Sequence, residues 1–158
     1  MNRIFRRISF DLRGSLRFNF TQDKGIRKFP LSSSTMSGEV LDQLKDVEID
    51  PSGRFKYILI EVEDEKGNKK FIVRGTARCN YHVEIYNEFL NSTSNFRDRS
   101  SVPGGGRIFH SPEKKTIHIY SESQQFGKAN HKVTKNLLQK HYSDYNIAIT
   151  REEDEPFA

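Results

Sequence analysis

The change from strand to helix periodicity within residues 73–89 is the feature that most constrains this fold. The residues before it, 55–62 and 70–74, alternate β-branched and aromatic side chains in the pattern of strands. After it, apolar residues recur at helical spacing and fall mostly on one face: Val83, Ile85, Tyr86, Phe89 and Leu90. A strand that leads through a short connection into an amphipathic helix predicts a domain in which helices pack on a sheet.

The remaining segments extend this pattern. A brief edge strand is predicted at 47–49, a hairpin turn at 64–68 and a second hairpin from 106–110 and 116–120. Further predictions are one helical turn or a linker at 39–45, a mobile polar loop at 91–103, a helix at 130–141 and a strand at 145–150. The fold class expected from these elements is an α/β sandwich with a mixed sheet in a single domain.

Residues 1–38 form a basic, Ser-rich extension that we exclude from the fold. The first 35 residues contain six Arg, two Lys and only two Asp, and apolar residues recur every four positions at Ile4, Ile8, Leu12 and Leu16. This pattern is typical of a mitochondrial transit peptide, and the alternative is a disordered basic extension. The domain is predicted at 39–150, followed by a charged tail at 151–158. We expect a cytoplasmic form starting at Met36, with a mitochondrial form as the alternative if the extension is imported and cleaved.

Charge and composition narrow the classes of partner. The formal net charge of +5 and the pI of about 9.3 suit anionic partners. Much of the excess charge lies in the extension, and no RNA- or DNA-binding motif is visible, so no nucleic-acid partner is expected. No apolar run is long enough to span a membrane. The single cysteine, Cys79, excludes an internal disulfide framework. No C-x5-R phosphate loop of a cysteine phosphatase follows it, and we interpret it as a small filler residue.

His82 is the first candidate for chemistry. Asn80 is the predicted N-cap of the helix, which places His82 in the first helical turn. Unpaired N–H groups and the positive end of the helix dipole favour an anion there and disfavour an imidazolium ion. A neutral imidazole beside an anion can accept a proton from water. The alternative from spacing alone is a surface histidine on an ordinary helix.

Three cationic side chains are candidate phosphate ligands. Lys56 lies on a strand whose neighbours point to the opposite face, so it either meets an anion or lies on a solvated face. Arg74 ends a strand and Arg107 follows three glycines, and the forked guanidinium suits phosphate. The glycines, 104–106, are either a flexible connector or a close approach of backbone to a ligand. No zinc-binding spacing of histidines is present, and we expect neither a metal nor another cofactor.

Several short motifs follow one another in a fixed order along the chain. They are Phe55-Lys56-Tyr57, Arg74-Gly75, Tyr81-His82, Ile85-Tyr86, Gly104-Gly105-Gly106-Arg107-Ile108, KTIHIY at 115–120, Phe126-Gly127, His141-Tyr142 and Asp144-Tyr145. This ordered set resembles the phosphohistidine phosphatase/Janus family, whose phosphatases are of the 14 kDa type. The resemblance covers about residues 47–150.

The resemblance implies a central mixed β-sheet flanked by two α-helices. It also implies that His82 is the catalytic residue, that Lys56 contacts substrate phosphate, and that the loop of Ser123, Gln124 and Gln125 binds phosphate through backbone N–H groups and the serine hydroxyl. Gln125 stands where relatives often have a small residue, and Glu122 adds a negative charge beside the loop. Phe126 and the residues after it look closer to the Janus branch.

These observations predict a metal-independent protein histidine phosphatase, expected to be a monomer acting on histidine-phosphorylated proteins. His82 is assigned as general base, with a nucleophilic role as the alternative. Lys56, Arg74, Arg107 and the loop from Ser123 to Gln125 are assigned to the phosphoryl oxygens. The rival hypothesis is a non-catalytic module that recognises phosphoproteins through the same pocket, and nucleic-acid binding is a third and weaker one.

Overall fold

A computed structural model describes residues 36–151, so the predictions for the extension before Met36 and for the tail after Arg151 lie outside the described residues. The chain folds as α/β, as predicted, around one mixed six-stranded sheet. Within the described residues, three α-helices accompany the sheet where two were expected. None of the helices in this part of the chain is both long and apolar enough to cross a membrane.

The four central strands of the sheet pair antiparallel, and each edge strand runs parallel to its neighbour. The elements in chain order are α1 (Met36–Gln43), β1 (Val47–Ile49), β2 (Gly53–Glu63), β3 (Lys69–Thr76), α2 (His82–Ser92), a short 3₁₀ helix (Ser94–Phe96), β4 (Ser100–Ser111), β5 (Thr116–Tyr120), α3 (His131–His141) and β6 (Asn146–Ile149). The order of the strands in the sheet is β1-β3-β2-β4-β5-β6, with β1 parallel to β3 and β5 parallel to β6.

Strand β2 divides the core between the two faces of the sheet. Its residues Tyr57 and Leu59 belong to a cluster with Leu138 of α3, whereas Ile58 and Ile60 pack in a second cluster with residues of α1 and α2. Successive side chains of a strand point to opposite faces, so the alternation in the sequence sorts the residues between these clusters. By the same alternation, Lys56 lies on the face that α2 covers.

The prediction of a mobile polar loop at 91–103 is wrong. Helix α2 continues to Ser92, and β4 begins at Ser100, where its first residues pair with the end of β2. Phe96, in the 3₁₀ helix between them, is buried in the cluster beneath α2. The polar composition of this segment concealed one apolar anchor and a strand whose pairing partner lies far away in the sequence.

Helix α1 is likewise more than the single turn or linker predicted for residues 39–45, and it begins before the domain boundary at 39. Leu41 is buried in the same cluster as α2. Lys70 of β3 donates from Nζ to the carbonyl oxygens of Leu41 and Leu44, at 3.0 and 2.7 Å. A charged donor that bonds the final carbonyls of a helix also complements its dipole.

The three glycines at 104–106 lie inside β4, where all three are buried. A Cβ atom added to Gly104 would lie 2.5 Å from the backbone nitrogen of Ala129 and 2.6 Å from its Cα. The backbone before α3 therefore lies directly against the strand, and the neighbour that would have to move is main chain. The expectation of a flexible connector is wrong, because close approach explains these residues.

We expect Gly104→Ala to lower the free energy of unfolding by about 2 kcal/mol or more, since it forces two backbone segments apart. Urea denaturation followed by circular dichroism measures the change. Ser101→Ala, at an exposed position of the same strand, is the matched control and should change stability little. Equal stability of the two variants would contradict the packing described here.

Candidate functional site

A cavity of about 530 Å³ opens where the first turn of α2 meets the paired strands β2 and β4. Two of the three predicted cationic residues, Lys56 and Arg107, contribute to its wall together with the predicted catalytic histidine. The lining residues are Lys56, Asn80, Tyr81, His82, Arg107, Ser121, Glu122, Gln124 and Gln125.

The start of α2 fixes where His82 lies. The N-cap is Tyr81, so the prediction of Asn80 as N-cap is wrong by one residue. The carboxylate of Glu84 accepts from the backbone N–H groups of Asn80 and Tyr81, at 2.7 and 3.0 Å. This reciprocal contact from the third helical residue is the glutamate half of a capping box and sets the helix start. His82 is therefore the first helical residue, in the first turn as expected.

The ring of His82 is oriented by one hydrogen bond to the neighbouring strand. Its Nε2 lies 3.0 Å from the carbonyl oxygen of Gly106, and the residue is only 6% exposed. A carbonyl oxygen can only accept, so Nε2 must donate. A neutral ring that donates from Nε2 has its lone pair on Nδ1. The alternative interpretation of His82 as a surface histidine is therefore wrong.

Burial is the main cause that lowers the pKa of His82 below its usual value, since a charged ring loses solvation there. The hydrogen bond to Gly106 opposes this shift, whereas the positive charges of Lys56 and Arg107 add to it. The imidazole is therefore neutral at physiological pH and able to accept a proton. An anion bound beside it would raise its proton affinity, so the site gains basicity when a phosphoryl group enters.

Lys56 and Arg107 are direct cross-strand neighbours in the antiparallel pair β2 and β4. Residues opposite each other in such a pair point to the same face of the sheet. Lys56 is half-buried and Arg107 is exposed, so one cation lies at the floor of the cavity and the other nearer solvent. Two cations on one wall can neutralise the charge of a phosphoryl group.

Gly105 makes room for the histidine. A Cβ atom at this position would lie 2.9 Å from Cδ2 of His82 and 2.8 Å from the carbonyl oxygen of Tyr57. The edge of the His82 ring that carries Cδ2 and Nε2 therefore approaches a strand that has no side chain at this point. In the site, Gly105 leaves space for the His82 ring, and Gly106 provides the carbonyl oxygen that accepts its hydrogen bond.

Arg74 does not join this site, which corrects its assignment to the phosphoryl oxygens. It lines a different cavity of about 600 Å³ beside the edge strand β1. Its guanidinium donates to the carbonyl oxygens of Val73 and Lys45, at 2.8 and 2.9 Å, and its Nε lies 3.0 Å from Glu48. Strand β3 turns this side chain toward α2 and β1, where it stabilises the sheet edge.

Of the three assigned residues in the loop after β5, Gln124 and Gln125 line the cavity and Ser123 does not. Ser123 is 2% exposed and lies beneath the cavity wall, where its hydroxyl oxygen accepts from the backbone N–H groups of Gln125 and Phe126, at 3.3 and 3.2 Å. These two amides point at the serine, so the serine hydroxyl holds the loop together. Gln124 and Gln125 line the cavity with exposed side chains.

The side chain of Gln125 reaches across to α2. Its Oε1 accepts from the backbone N–H of Val83 at 3.1 Å, joining residues 42 positions apart. The N–H groups of a first helical turn are the donors that an anion would use. One donor of the predicted anion site is therefore occupied by a neutral side chain of the protein itself.

Sequence comparison agrees with this architecture. The profile of the Janus/Ocnus family matches residues 41–146. The chain belongs to the Janus/Ocnus family. It is 43% identical to the sex-regulated protein janus-A of Drosophila melanogaster over 117 residues, covering 74% of this chain and 87% of the relative. It is 35% identical to the 14 kDa phosphohistidine phosphatase of Sus scrofa over 113 residues, covering 68% of this chain and 90% of the relative.

Cys79 has the properties of a filler in this member of the Janus/Ocnus family. It is buried, and its Sγ lies 3.6 Å from Glu88. Burial raises the pKa of its thiol, and the carboxylate of Glu88 raises it further. The thiol therefore stays protonated and is a poor nucleophile. No group of three or more His, Cys, Asp or Glu side chains within residues 36–151 is placed to hold a metal ion.

Several members of the site were absent from the sequence assignments. Asn80, Tyr81, Ser121 and Glu122 all line the cavity. The first two precede the histidine directly and the last two precede the assigned loop. Their adjacency to assigned residues is the signal that could have identified them. Nothing in the sequence indicated that the Val83 amide would meet a glutamine side chain.

We expect the His82 ring to titrate below the ordinary pKa of histidine and to carry its proton on Nε2 when neutral. Nitrogen-15 NMR of the imidazole through a pH titration measures both properties. A His82 proton on Nδ1 would contradict the hydrogen-bond assignment, and a pKa at or above the ordinary histidine value would contradict the effect of burial.

Proposed function

We propose that this protein is a protein histidine phosphatase that hydrolyses phosphohistidine without a metal ion. The observation that carries the proposal is the neutral His82, oriented by the Gly106 carbonyl, in one cavity with Lys56 and Arg107. The pig relative named as a 14 kDa phosphohistidine phosphatase supports the substrate class. The partners are then histidine-phosphorylated proteins, acted on by a cytoplasmic monomer.

In the proposed reaction, a water oxygen forms a bond to phosphorus while the P–N bond to the substrate imidazole breaks. His82 takes the proton of the attacking water on Nδ1. The substrate imidazole, protonated on its other nitrogen, leaves as a neutral ring, and inorganic phosphate is the second product. Lys56 and Arg107 neutralise the charge on the transferred oxygens, so the contribution of the protein is positioning, charge stabilisation and proton transfer.

The role of general base is preferred over nucleophile for His82. A nucleophilic Nδ1 would have to lie in line with the leaving group at about 3–3.5 Å from phosphorus. A base needs only to reach phosphorus through one water. A single transfer to water also requires no second deprotonation at the same residue.

The second candidate function is a module that binds phosphoproteins without turnover. The contact of Gln125 with the Val83 amide favours it, because one donor for the transferred oxygens is occupied in the resting protein. Other relatives carry the name sex-regulated protein janus-A, which does not specify a reaction. Binding of a phosphohistidine protein with no phosphate release would support this function over hydrolysis.

We expect His82→Ala to lower kcat for a phosphohistidine protein by about 100-fold or more, since it removes the proton acceptor. Phosphate release measures the rate, and His141→Ala outside the cavity is the matched control. In the wild type, kcat/KM should fall toward acid pH as His82 becomes protonated, with its midpoint below the ordinary histidine pKa. Equal activity of wild type and His82→Ala would refute the proposal.

Rapid quench at alkaline pH, which preserves P–N bonds, separates the two roles of His82. The base role leaves no stoichiometric phosphate on the enzyme at any time in the first turnover. A phosphorylated His82 that forms and decays as fast as the turnover would refute the base role while the phosphatase function stands.

We expect the two arginines to respond differently to replacement by lysine. Arg107→Lys should raise KM by about 10-fold or more, because the positive charge is kept but the forked donor that makes two parallel hydrogen bonds to a phosphoryl group is lost. Arg74→Lys should lower the free energy of unfolding, since it loses contacts to two carbonyl oxygens, and should leave KM nearly unchanged. Steady-state kinetics and urea denaturation on both variants make the comparison. A larger KM effect at Arg74 would show that the cavities are assigned the wrong way round.

A further inference from the structure

The amide oxygen of Gln125 lies where an anion oxygen would bind at the start of α2. Its hydrogen bond to the Val83 N–H is 3.1 Å long, and the same side chain lines the cavity that contains His82. The amide oxygen presents a lone pair to the helix as a phosphoryl oxygen would. Helix α2 is eleven residues long, so the positive end of its dipole at the first turn favours a negatively charged group.

The Gln125 side chain can leave without moving the loop that carries it. Its backbone N–H is held by the hydroxyl of Ser123, and the Gly127 N–H donates to the Ser123 carbonyl oxygen at 2.8 Å. The side chain itself is exposed, so rotation about its own torsions takes it into solvent. The backbone is anchored while the side chain is displaceable.

We propose that Gln125 is a displaceable plug of the phosphate site, which competes with the ligand for the Val83 N–H and thereby sets which ligands enter. This inference rests on the proposed function for the location of the anion site. To displace the glutamine, a ligand must form a stronger hydrogen bond with the Val83 N–H than the amide oxygen of Gln125 does. An anionic oxygen does so because charge-assisted hydrogen bonds are stronger than neutral ones, whereas a neutral acceptor gains nothing by the exchange. The plug therefore favours phosphoryl groups over uncharged ligands and weakens the affinity for all of them.

Lys56 and Arg107 supply the rest of the discrimination. Both line the same cavity as the plug. A phosphoryl group that bonds these cations is brought to the first turn of α2 and meets the glutamine there. The two cations increase the affinity for phosphate, and the side-chain amide of Gln125 decreases it by competition. Removing this amide alone should therefore strengthen phosphate binding.

The test measures binding of inorganic phosphate to the full-length protein by calorimetry, with the Val83 amide followed by NMR. Gln125→Ala should tighten phosphate binding by about 2- to 10-fold, which corresponds to the net value of one neutral hydrogen bond. Gln125→Glu should weaken it, because a carboxylate of the same length binds the helix terminus more strongly and repels the anion. The opposite directions of two substitutions at one site separate competition from a general perturbation of the loop.

Gln43→Ala is the matched control, since Gln43 is an exposed glutamine of α1 outside the cavity. In the wild type, phosphate should shift the Val83 amide resonance, and in Gln125→Ala that resonance should be displaced before phosphate is added. Unchanged phosphate binding in Gln125→Ala would show that Gln125 does not compete with phosphate. Weaker binding would show that the glutamine itself contacts the ligand. Either result overturns the plug, as does the absence of phosphate binding in every variant.

Phosphate binding and turnover are read separately, so the two proposals can fail independently. Tighter phosphate binding in Gln125→Ala, with no phosphohistidine hydrolysis by the wild type, keeps the plug and removes the phosphatase. Hydrolysis that depends on His82, with no gain of phosphate affinity and no fall of KM in Gln125→Ala, keeps the phosphatase and removes the plug.

Discussion

The hydrogen bond from His82 Nε2 to the Gly106 carbonyl is the contact on which the site depends. It links the first residue of α2 to the middle of β4, and so joins the helix to the strand that carries Arg107. It requires a ring lying against the strand, which is possible because Gly105 has no Cβ. It also selects the tautomer with a lone pair on Nδ1, so one contact determines position, orientation and proton state.

The surrounding sheet turns this contact into a site for an anion. The cross-strand pair of Lys56 and Arg107 places two positive charges on the face that α2 covers. Burial is the main cause that lowers the pKa of the histidine, and the same two charges lower it further, so the cations that attract a phosphoryl group also help to keep the base unprotonated until it arrives. Membership of the Janus/Ocnus family accounts for the fold, and the local chemistry of this cavity supports the proposed reaction.

Arg74 and Gln125 show that tertiary contacts, more than the local sequence motif, decide what a side chain does. Arg74 sits in a family-like motif, yet its guanidinium is taken up by two backbone carbonyls and Glu48 at the sheet edge. Gln125 sits in the assigned loop, yet its side chain bonds to the helix that would receive the ligand. The contacts of Arg74 with Lys45 and of Gln125 with Val83 join residues 29 and 42 positions apart in the sequence.

The sequence alone determined the type and order of most elements, because alternating and helical periodicities report directly which face of an element is buried. It placed His82 in the first turn of its helix and Lys56 opposite the side chains of Phe55 and Tyr57. Only the tertiary structure decided that the three glycines are a packed strand, that Arg74 lies outside the cavity, and that Gln125 reaches Val83. Those outcomes depend on which backbones approach one another across the sheet, and local periodicity carries no information about such long-range approach.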